Sequence, residues 1–374
     1  MKNTSFKPKY VMIGGFLGAG KTTTIAKLGE YLAGQGNRVG LITNDQANGL
    51  VDTAMLKSKG FATEEIAGGC FCCRFSSLTQ AADNLTKSDQ PDVFLAEPVG
   101  SCTDLVATVT YPLRRMYGEH YHLTPFTVLV DPIRASRVFG LMEGRKFSPK
   151  VEYIYKKQLQ EAHAIVINKS DSVSGEELNK LKHELSLRYP SAELFTFSAK
   201  LGGTDFEKWM EWVINAPLVN TPAMDIDYKI YAEGEALLGW LNATVDIESE
   251  KNFDANELLI NLSSSIQDLI KSRSGEIAHL KMTLSPHEGF HDVAIVNTVR
   301  NDIDPNLSQK IEEPIQSGEL VINLRVEDSP DVLEEIVRQS LKSHNTDNLE
   351  LNINHLEAFK PGKPVPEFRE EYCP

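Results

Sequence analysis

The sequence predicts an α/β protein with a doubly wound, mostly parallel sheet, followed by a C-terminal α+β domain of ferredoxin-like type. In the first half of the chain, short apolar runs alternate with helical stretches. Polar residues follow each run, as they do where parallel strands end in ligand-binding loops. In the second half the order becomes β-α-β-β-β-α-β, which is close to a ferredoxin-like sandwich.

The predicted parallel sheet is built from short buried strands. They are expected at Tyr10–Gly14, Arg38–Thr43, Asp92–Ala96, Thr127–Val130 and Ala164–Ile167. A helix is expected over Lys21–Ala33, because its apolar residues recur at helical spacing on one face. Strands that alternate with helices favour parallel pairing, with the ligand site beyond the carboxyl ends of the strands.

The pattern changes after a stretch that reads as a linker. We expect a first domain over 1–215, a linker over 216–228, a second domain over 229–360 and a proline-rich, charged tail over 361–374. In the second domain the expected strands are 237–247, 277–284, 291–300, 319–326 and 349–356, and the expected helices are 255–272 and 331–342.

Composition excludes some classes of function. The chain has 374 residues and a formal net charge of −14, which disfavours nucleic acid and anionic membrane surfaces as partners. No apolar run approaches the roughly 20 residues of a membrane span, and the polar start does not read as a signal peptide. We therefore expect a cytoplasmic protein, in which clustered cysteines are more often metal-binding or catalytic than disulfide-bonded.

Gly15–Thr22 matches the phosphate-binding pattern G-x-x-x-x-G-K-T between a strand and a helix. This context predicts a P-loop NTPase domain. Backbone N–H groups of the loop would wrap the phosphates, Lys21 would reach the β- and γ-phosphates, and the Thr22 hydroxyl would ligate Mg²⁺. The residues predicted to bind the phosphates are Gly15, Gly18, Ala19, Gly20, Lys21, Thr22 and Thr23.

Two later segments favour guanine over adenine. Asn168, Lys169 and Asp171 form an N-K-x-D pattern after an apolar strand. The Asp171 carboxylate can accept from the ring N–H and amine of guanine, while Lys169 covers the base. Ser198, Ala199 and Lys200 follow another short strand, where a backbone N–H could reach the guanine oxygen. GTP is therefore the predicted nucleotide.

Two acidic loops follow strands and are expected to respond to the γ-phosphate. Glu97 is predicted to hold Mg²⁺ through water or to orient the attacking water, and Gly100 to let the backbone turn toward the phosphate. Asn44, Asp45 and Asp52 lie where a first switch segment would sit, although simple solvation of a polar loop explains them equally well.

Cys70, Cys72 and Cys73 account for three of the five cysteines and directly follow two glycines. Thiolates at this density favour Zn²⁺ or another soft ion, which here would be exchangeable cargo. A fourth ligand could be water, Asp45, Cys102 or a client protein. The alternative is that the cysteines pack as small apolar side chains, which is the favoured interpretation for Cys102 and Cys373.

These motifs together resemble the CobW-like metallochaperone GTPases, relatives of HypB and UreG. The resemblance is carried by GGFLGAGKTT at 14–23, GGCFCC at 68–73, EPVG at 97–100 and NKSD at 168–171. It implies a GTPase that binds Zn²⁺ or Co²⁺ at C-x-C-C and delivers the ion to a client metalloenzyme. It also implies a nucleotide-dependent homodimer. Where the family commonly reads asparagine-glutamate-phenylalanine-glycine, this chain has Asp45 in place of the glutamate.

Two other functions remain open on the sequence. One is a thiol-redox switch, in which C-x-C-C forms a disulfide or sulfenate that the GTPase reports. The other is a GTPase that assists assembly or cofactor exchange in a corrinoid or nitrile-type enzyme, with cysteines that are merely structural.

Overall fold

The computed structural model describes residues 7–44, 60–66, 68–288 and 293–372. They divide into two compact units. The N-terminal unit comprises the described residues up to 232 together with 364–372, and the C-terminal unit comprises those from 233 to 363. The predicted domain limits stay predictions. Within the described part of the chain, no helix combines the length and apolarity needed to cross a membrane.

The N-terminal unit alternates strands with helices, as predicted. Its described strands are β1 (Lys9–Gly15), β2 (Val39–Asn44), β3 (Ala62–Ile66), β4 (Val93–Glu97), β5 (His122–Leu123), β6 (Thr127–Val130), β7 (Ala164–Ile167) and β8 (Glu193–Thr196). Its described helices are α1 (Lys21–Gly34), α2 (Phe75–Ser88), α3 (Tyr111–Tyr117), α4 (Pro132–Val138), α5 (Pro149–Gln160), α6 (Gly175–Arg188) and α7 (Thr204–Asn215). A π-helical turn over Val106–Thr110 precedes α3.

The strands form one sheet in the order β3-β2-β4-β1-β6-β7-β8, with β5 also paired to β1. Each of these pairings is parallel. Strands β4, β6 and β7 are buried along their whole length, as expected for strands covered on both faces. The predicted doubly wound parallel sheet is confirmed. β1 lies at its centre, so the loop after β1 faces the loops after its neighbours β4 and β6.

The C-terminal unit is built on an antiparallel sheet. After α8 (Tyr228–Glu235), which spans the division between the units, come β9 (Leu238–Phe253), α9 (Ala255–Ser272), β10 (Glu276–Pro286), β11 (Ala294–Thr298), β12 (Asn306–Gln309), β13 (Ile315–Glu327), α10 (Pro330–His344) and β14 (Leu349–Phe359). The sheet order is β12-β11-β10-β13-β9-β14. Its β10-β13-β9-β14 part, with α9 and α10, has the ferredoxin-like order that the sequence predicted, and β11 and β12 extend one edge.

Packing explains why the two helices of this unit dock on the sheet. Leu259 and Ile266 of α9 and Ile336 of α10 are buried in the same apolar cluster as Val245 and Leu324 of the sheet. Each helix therefore turns one apolar stripe toward one face of the sheet. The helix limits predicted from this spacing, 255–272 and 331–342, agree with the structure to within two residues.

Candidate functional site

The loop between β1 and α1 has a backbone that requires glycine. Gly20 has a left-handed φ of 93°, and a Cβ there would lie 2.4 Å from Asn168 Nδ2. A Cβ at Gly15, where φ is 131°, would lie 2.3 Å from the carbonyl oxygen of Leu129. Any side chain at these positions would displace the loop or its neighbours. The structure thus gives Gly15–Thr22 the strand–loop–helix geometry of a phosphate-binding loop.

Lys21 and Thr22 begin α1 and are positioned by partners from other elements. Lys21 is 7% exposed, and its Nζ donates to the carbonyl of Gly15 at 3.1 Å. Thr22 Oγ1 donates to Glu97 Oε1 at 3.0 Å. Glu97 is the last residue of β4, so the sheet brings this carboxylate beside the start of α1. A hydroxyl next to a carboxylate is a donor set that fits Mg²⁺, and Thr23 beside them is exposed.

Asn168 connects the loops after β1, β7 and β8. Its Nδ2 donates to the carbonyl of Ala19 at 2.9 Å, and its Oδ1 accepts from the N–H of Ala199 at 2.9 Å. Of the backbone N–H groups in the turn expected to meet guanine, that of Ala199 is therefore already engaged by Asn168. Ser198 Oγ accepts from the N–H of Leu201, which tightens the same turn. The Lys200 carbonyl accepts from Lys27 Nζ at 2.8 Å.

Lys169 adopts a left-handed φ of 54° and reaches back over the phosphate-binding loop. Its Nζ donates to the carbonyl of Gly18 at 2.6 Å and pairs with Asp131 Oδ2 at 3.2 Å. Asp131 also caps α4, because its Oδ1 accepts from the N–H groups of Ile133 and Arg134. Asp171 lies nearby in an exposed 3₁₀ turn, where its carboxylate can meet a base.

The loop after Glu97 packs directly on the phosphate-binding loop. A Cβ at Gly100 would lie 2.9 Å from Leu17 Cδ2 and 3.0 Å from Leu17 N, so the two backbones approach as closely as glycine allows. The buried Gln158 of α5 holds this loop, with Nε2 donating to the carbonyls of Gly100 and Cys102 at 2.9 and 2.8 Å. Movement of this loop would therefore act on Leu17 and on Cys102 together.

The three cysteines of the C-x-C-C motif converge on one point. The sulfur atoms of Cys70, Cys72 and Cys73 all lie within 4.8 Å of one another. The Cys70–Cys72 and Cys72–Cys73 sulfur distances are 2.9 and 3.8 Å. A tight turn makes this possible, because the N–H groups of Cys73 and Arg74 both donate to the Cys70 carbonyl. Cys70 and Cys72 are buried and Cys73 is half-buried, so the cluster opens toward Cys73.

The cluster is tied to the sheet through Asn44, the last residue of β2. Asn44 Nδ2 donates to the carbonyls of Ile66 and Gly69 at 2.9 and 2.6 Å. Gly69 immediately precedes Cys70, so the Asn44 amide fixes where the cysteine turn begins. In the β2–β4 register Thr43 stands opposite Glu97. Asn44, which holds the cysteine turn, is thus the residue directly after Thr43, which lies opposite Glu97.

A fourth thiol, Cys102 in the loop after Glu97, acts on the pKa of Cys70. Hydrogen bonding from Cys102, followed by that from Cys72 and Cys73, holds the pKa of Cys70 well below its usual range. Hydrogen bonding to Cys70 in turn raises the pKa of Cys73 to about 11. Cys102, which is 1% exposed, is the largest cause of this lowering.

Some expected site residues cannot be placed and others were not expected. Asp45 and Asp52, proposed for the first switch, lie outside the described residues, as does Cys373. Asp131 was missed, although an aspartate between a buried strand and a proline is a recognisable helix start. Gln158 was also missed, and no local pattern in α5 marks it.

The central residues of the site all fall within one recognised domain. The family model described as CobW/HypB/UreG, nucleotide-binding domain, matches residues 9–196. The chain belongs to this family. The match covers β1 through β8 and therefore includes the phosphate-binding loop, the cysteine turn, the loop after Glu97 and the N-K-x-D segment, with the Ser198–Lys200 turn directly after it.

Individual relatives match over the same half of the chain. The zinc chaperone YeiR of Escherichia coli (strain K12) is 30% identical over 168 residues, which are 44% of this chain and 47% of that protein. The zinc chaperone CobW of Sinorhizobium sp. is 29% identical over 198 residues, which are 47% of this chain and 55% of that protein. The chain thus spans about half the length of these curated relatives.

Among solved structures, the hydrogenase maturation factor HypB from Archaeoglobus fulgidus is 22% identical. The match covers 55% of this chain and 88% of HypB, with a TM-score of 0.38.

Proposed function

We propose that this protein is a GTP-hydrolysing metallochaperone, which binds a transition metal, Zn²⁺ or Co²⁺, at Cys70, Cys72 and Cys73 and delivers it to a client metalloenzyme. The observation that carries the proposal is the convergence of three sulfur atoms within 4.8 Å in a P-loop domain of the CobW/HypB/UreG family. The names of its relatives YeiR and CobW, both zinc chaperones, support zinc as cargo.

The nucleotide would bind across the loops after β1, β4 and β7. The backbone N–H groups of 15–20 would hold the phosphates with Lys21, and Thr22 and Glu97 would hold Mg²⁺, which neutralises charge on the β- and γ-phosphates. A water molecule would attack the γ-phosphate, and Glu97 would either orient this water or hold Mg²⁺ through a water ligand. Asp171 would accept from the guanine ring N–H and amine, and Lys169 would cover the base.

The cysteine turn suits an ion that enters and leaves. Tetrahedral Zn²⁺ with Zn–S bonds of about 2.3 Å places its sulfur ligands about 3.8 Å apart. The Cys72–Cys73 distance of 3.8 Å already meets this value, while the Cys70–Cys72 distance of 2.9 Å must widen. Three protein thiolates leave a fourth position open, which Cys102, water or the client could fill, and an open position favours transfer.

Two contacts support coupling between nucleotide and metal. The loop after Glu97 packs on Leu17 through Gly100 and carries Cys102, which lowers the pKa of Cys70. On the other side, Asn44 holds the carbonyl that precedes Cys70. GTP–Mg²⁺ that orders these loops would complete the thiol site, and hydrolysis would loosen it. By linkage, metal and GTP should each tighten binding of the other.

A metal titration tests this function. Zn²⁺ and Co²⁺ affinities are measured in GTP–Mg²⁺ and in GDP–Mg²⁺ by competition with a chromophoric chelator. We expect tighter binding with GTP and a loss of at least about a hundredfold in Cys72→Ala plus Cys73→Ala, because two thiolate ligands disappear. Gln80→Ala, on the exposed face of α2, is the matched control. Unchanged affinity in the double variant would exclude the metallochaperone function.

The same protein preparation tests two further proposals. The 2.9 Å distance between the sulfur atoms of Cys70 and Cys72 favours a thiol-redox switch as the second candidate function. In this switch an external oxidant such as hydrogen peroxide converts the thiols to a disulfide or a sulfenate, which a reductant can reverse. The redox switch is supported if metal-free protein shows a reversible oxidation of the cysteines by mass spectrometry and if this oxidation changes the rate of GTP turnover.

The proposed GTP-dependent homodimer is tested by sedimentation, which should show a dimer in GTP–Mg²⁺ and a monomer in GDP–Mg²⁺.

A further inference from the structure

The last described residues of the chain run over the cysteine turn. Residues 364–372, here called the strap, follow the C-terminal unit in sequence but belong to the N-terminal unit. The main-chain N–H of Val365 donates to Cys73 Sγ at 3.2 Å, and the N–H of Glu367 donates to the carbonyl of Cys72 at 2.9 Å. The strap therefore meets the cluster on the side of its half-buried thiol.

A second set of contacts fastens the strap to the start of α2. This helix begins directly after the cysteine turn, and its N-cap residue Arg74 makes no side-chain cap. The carboxylate of Glu367 supplies one instead, because Oε2 accepts from Ser76 N at 3.0 Å and from Ser76 Oγ at 2.6 Å. The ring of Phe368 packs edge-on against Phe75, with 5.2 Å between ring centroids.

A third set fastens the strap to the loop that carries Cys102. Arg369 Nε donates to Asp104 Oδ2 at 2.8 Å, and Asp104 is 1% exposed with a left-handed φ of 66°. The N–H of Glu370 donates to the carbonyl of Ala107 in the π-helical turn, and its carboxylate pairs with Arg115. The strap thus bridges the cysteine turn and the loop after Glu97.

We propose that the strap is a closing element for the cysteine cluster, which covers Cys73 and must lift before the cluster exchanges its metal with another protein. The cargo role rests on the proposed function, whereas the covering of the thiols does not. The N–H···S bond from Val365 favours a charged sulfur, so a metal-bound thiolate is held under a closed strap. The hydrogen bonds between Glu367 and Ser76 are exposed, so water can replace them when the strap lifts. The packing of Phe368 on Phe75 is the contact that holds the strap closed against this exchange.

Alkylation of the cysteines in metal-free protein tests the cover directly. N-ethylmaleimide labelling of Cys73 is followed by mass spectrometry in the full chain and in Phe368→Ala, Glu367→Ala and Tyr372→Ala. The first two variants remove different anchors, and Tyr372, 67% exposed, is the control in the same segment. We expect Cys73 to label about fivefold faster or more in both anchor variants, the factor that losing one such contact gives, and at the unchanged rate in Tyr372→Ala.

Zinc release provides the second arm. Protein loaded with Zn²⁺ is mixed with excess colorimetric chelator, and release should accelerate in Phe368→Ala and Glu367→Ala by a factor similar to that for labelling. Thermal unfolding of each variant checks that the fold is retained. Because the two variants remove different anchors, the test still stands if one of them fails to fold. If both anchor variants label and release Zn²⁺ at the rates of Tyr372→Ala, the proposal that the strap closes the cysteine cluster is wrong. If the unaltered protein does not bind Zn²⁺ but the anchor variants label faster, the cargo role is wrong and the strap still covers Cys73.

Discussion

At the scale of single residues, Asp171 is the side chain that we propose selects the base. It lies exposed in a 3₁₀ turn beside Lys169, which is held by the phosphate-binding loop and by Asp131. In the proposed site, Asp171→Asn replaces an acceptor of two guanine hydrogen bonds by an amide, which suits xanthine. We expect GTP affinity to fall by about 10–100-fold and xanthosine triphosphate affinity to rise, measured by equilibrium binding of both nucleotides. Asp205→Asn, exposed in the first turn of α7, is the control, and equal GTP affinity in both variants would remove Asp171 from the site.

Cys102 is the residue that joins the loop after Glu97 to the cysteine cluster. Cys102→Ser keeps the size and removes the thiol that lowers the pKa of Cys70. We expect Zn²⁺ affinity in GTP–Mg²⁺ to fall by about tenfold, with GTP affinity in metal-free protein unchanged, because serine is a poor ligand for a soft ion. Competition titration with and without nucleotide measures both quantities. A variant that binds Zn²⁺ as the unaltered protein does, in either nucleotide, would leave Cys102 as a packing residue.

Glu161 gives the N-terminal unit a pH-dependent stability. It is buried, accepts from Thr103 Oγ1 and the N–H of Val106, and burial together with nearby Asp104 raises its pKa to about 8. The unfolded chain has an ordinary glutamate pKa, so between about pH 4.5 and 8 the folded state binds more protons than the unfolded state. The stability of the fold therefore decreases as pH rises through this window.

Glu161→Gln should remove this pH dependence, since glutamine resembles the protonated acid. We expect the melting temperature of the unaltered protein to drop by several degrees relative to the variant between pH 5 and pH 8, as followed by circular dichroism. Glu207→Gln, exposed in the first turn of α7, is the control. A constant difference between unaltered protein and variant across this range would show that Glu161 has the same pKa in both states.

At the scale of elements, the contact between the loop after Glu97 and the phosphate-binding loop depends on Gly100. Gly100→Ala places a methyl group 2.9 Å from Leu17 Cδ2 and 3.0 Å from Leu17 N, so the two loops must separate. We expect GTP turnover to fall at least about tenfold, and the free energy of unfolding of the N-terminal unit to decrease by about 1–3 kcal/mol. Gly175→Ala, where a Cβ meets no atom within 4 Å at the start of α6, is the matched control. Retained turnover in Gly100→Ala would show that the loops need no close approach.

Local pattern predicts some of these elements and not others. Strands such as Thr127–Val130 and Ala164–Ile167 are found at their predicted limits, because a continuous apolar run is enough to identify a strand buried on both faces. β3 has no such run: Ala62–Ile66 contains two glutamates and lies at the edge of the sheet. α2 lacks a local cap and takes one from Glu367, which is 291 residues away from Ser76 in sequence.

The site shows the same division. The motifs identify which loops meet, because parallel strands end at one edge of the sheet and every motif follows such a strand. The roles assigned to Lys21, Glu97 and Asp171 stay predictions. Contacts that reach across the chain, such as Lys169 with Asp131 or Gln158 with the carbonyl of Cys102, depend on the packing of whole elements. No local sequence pattern could have given these pairs.

At the scale of the whole molecule, the fold class was predictable and the path of the chain was not. The β-α-β-β-β-α-β order of the second half predicts the ferredoxin-like sheet, since short connections and helix crossovers leave few topologies. A proline-rich segment at 361–374 reads as a tail because nothing in it is periodic. Residues 364–372 are nevertheless fixed to the N-terminal unit by main-chain bonds and by the ion pairs of Arg369 with the buried Asp104 and of Glu370 with Arg115, which composition does not reveal.

The strap also has a practical consequence for work on this protein. Anything fused behind residue 374 is attached directly to the segment that lies over the thiols. A polyhistidine purification tag at that position would add a row of imidazoles to the strap, and these would compete with the cysteine turn for the same soft ions. Metal stoichiometry from such a fusion would report the tag as well as the protein. An amino-terminal tag, removed by protease before titration, keeps the affinity of the cysteine turn measurable.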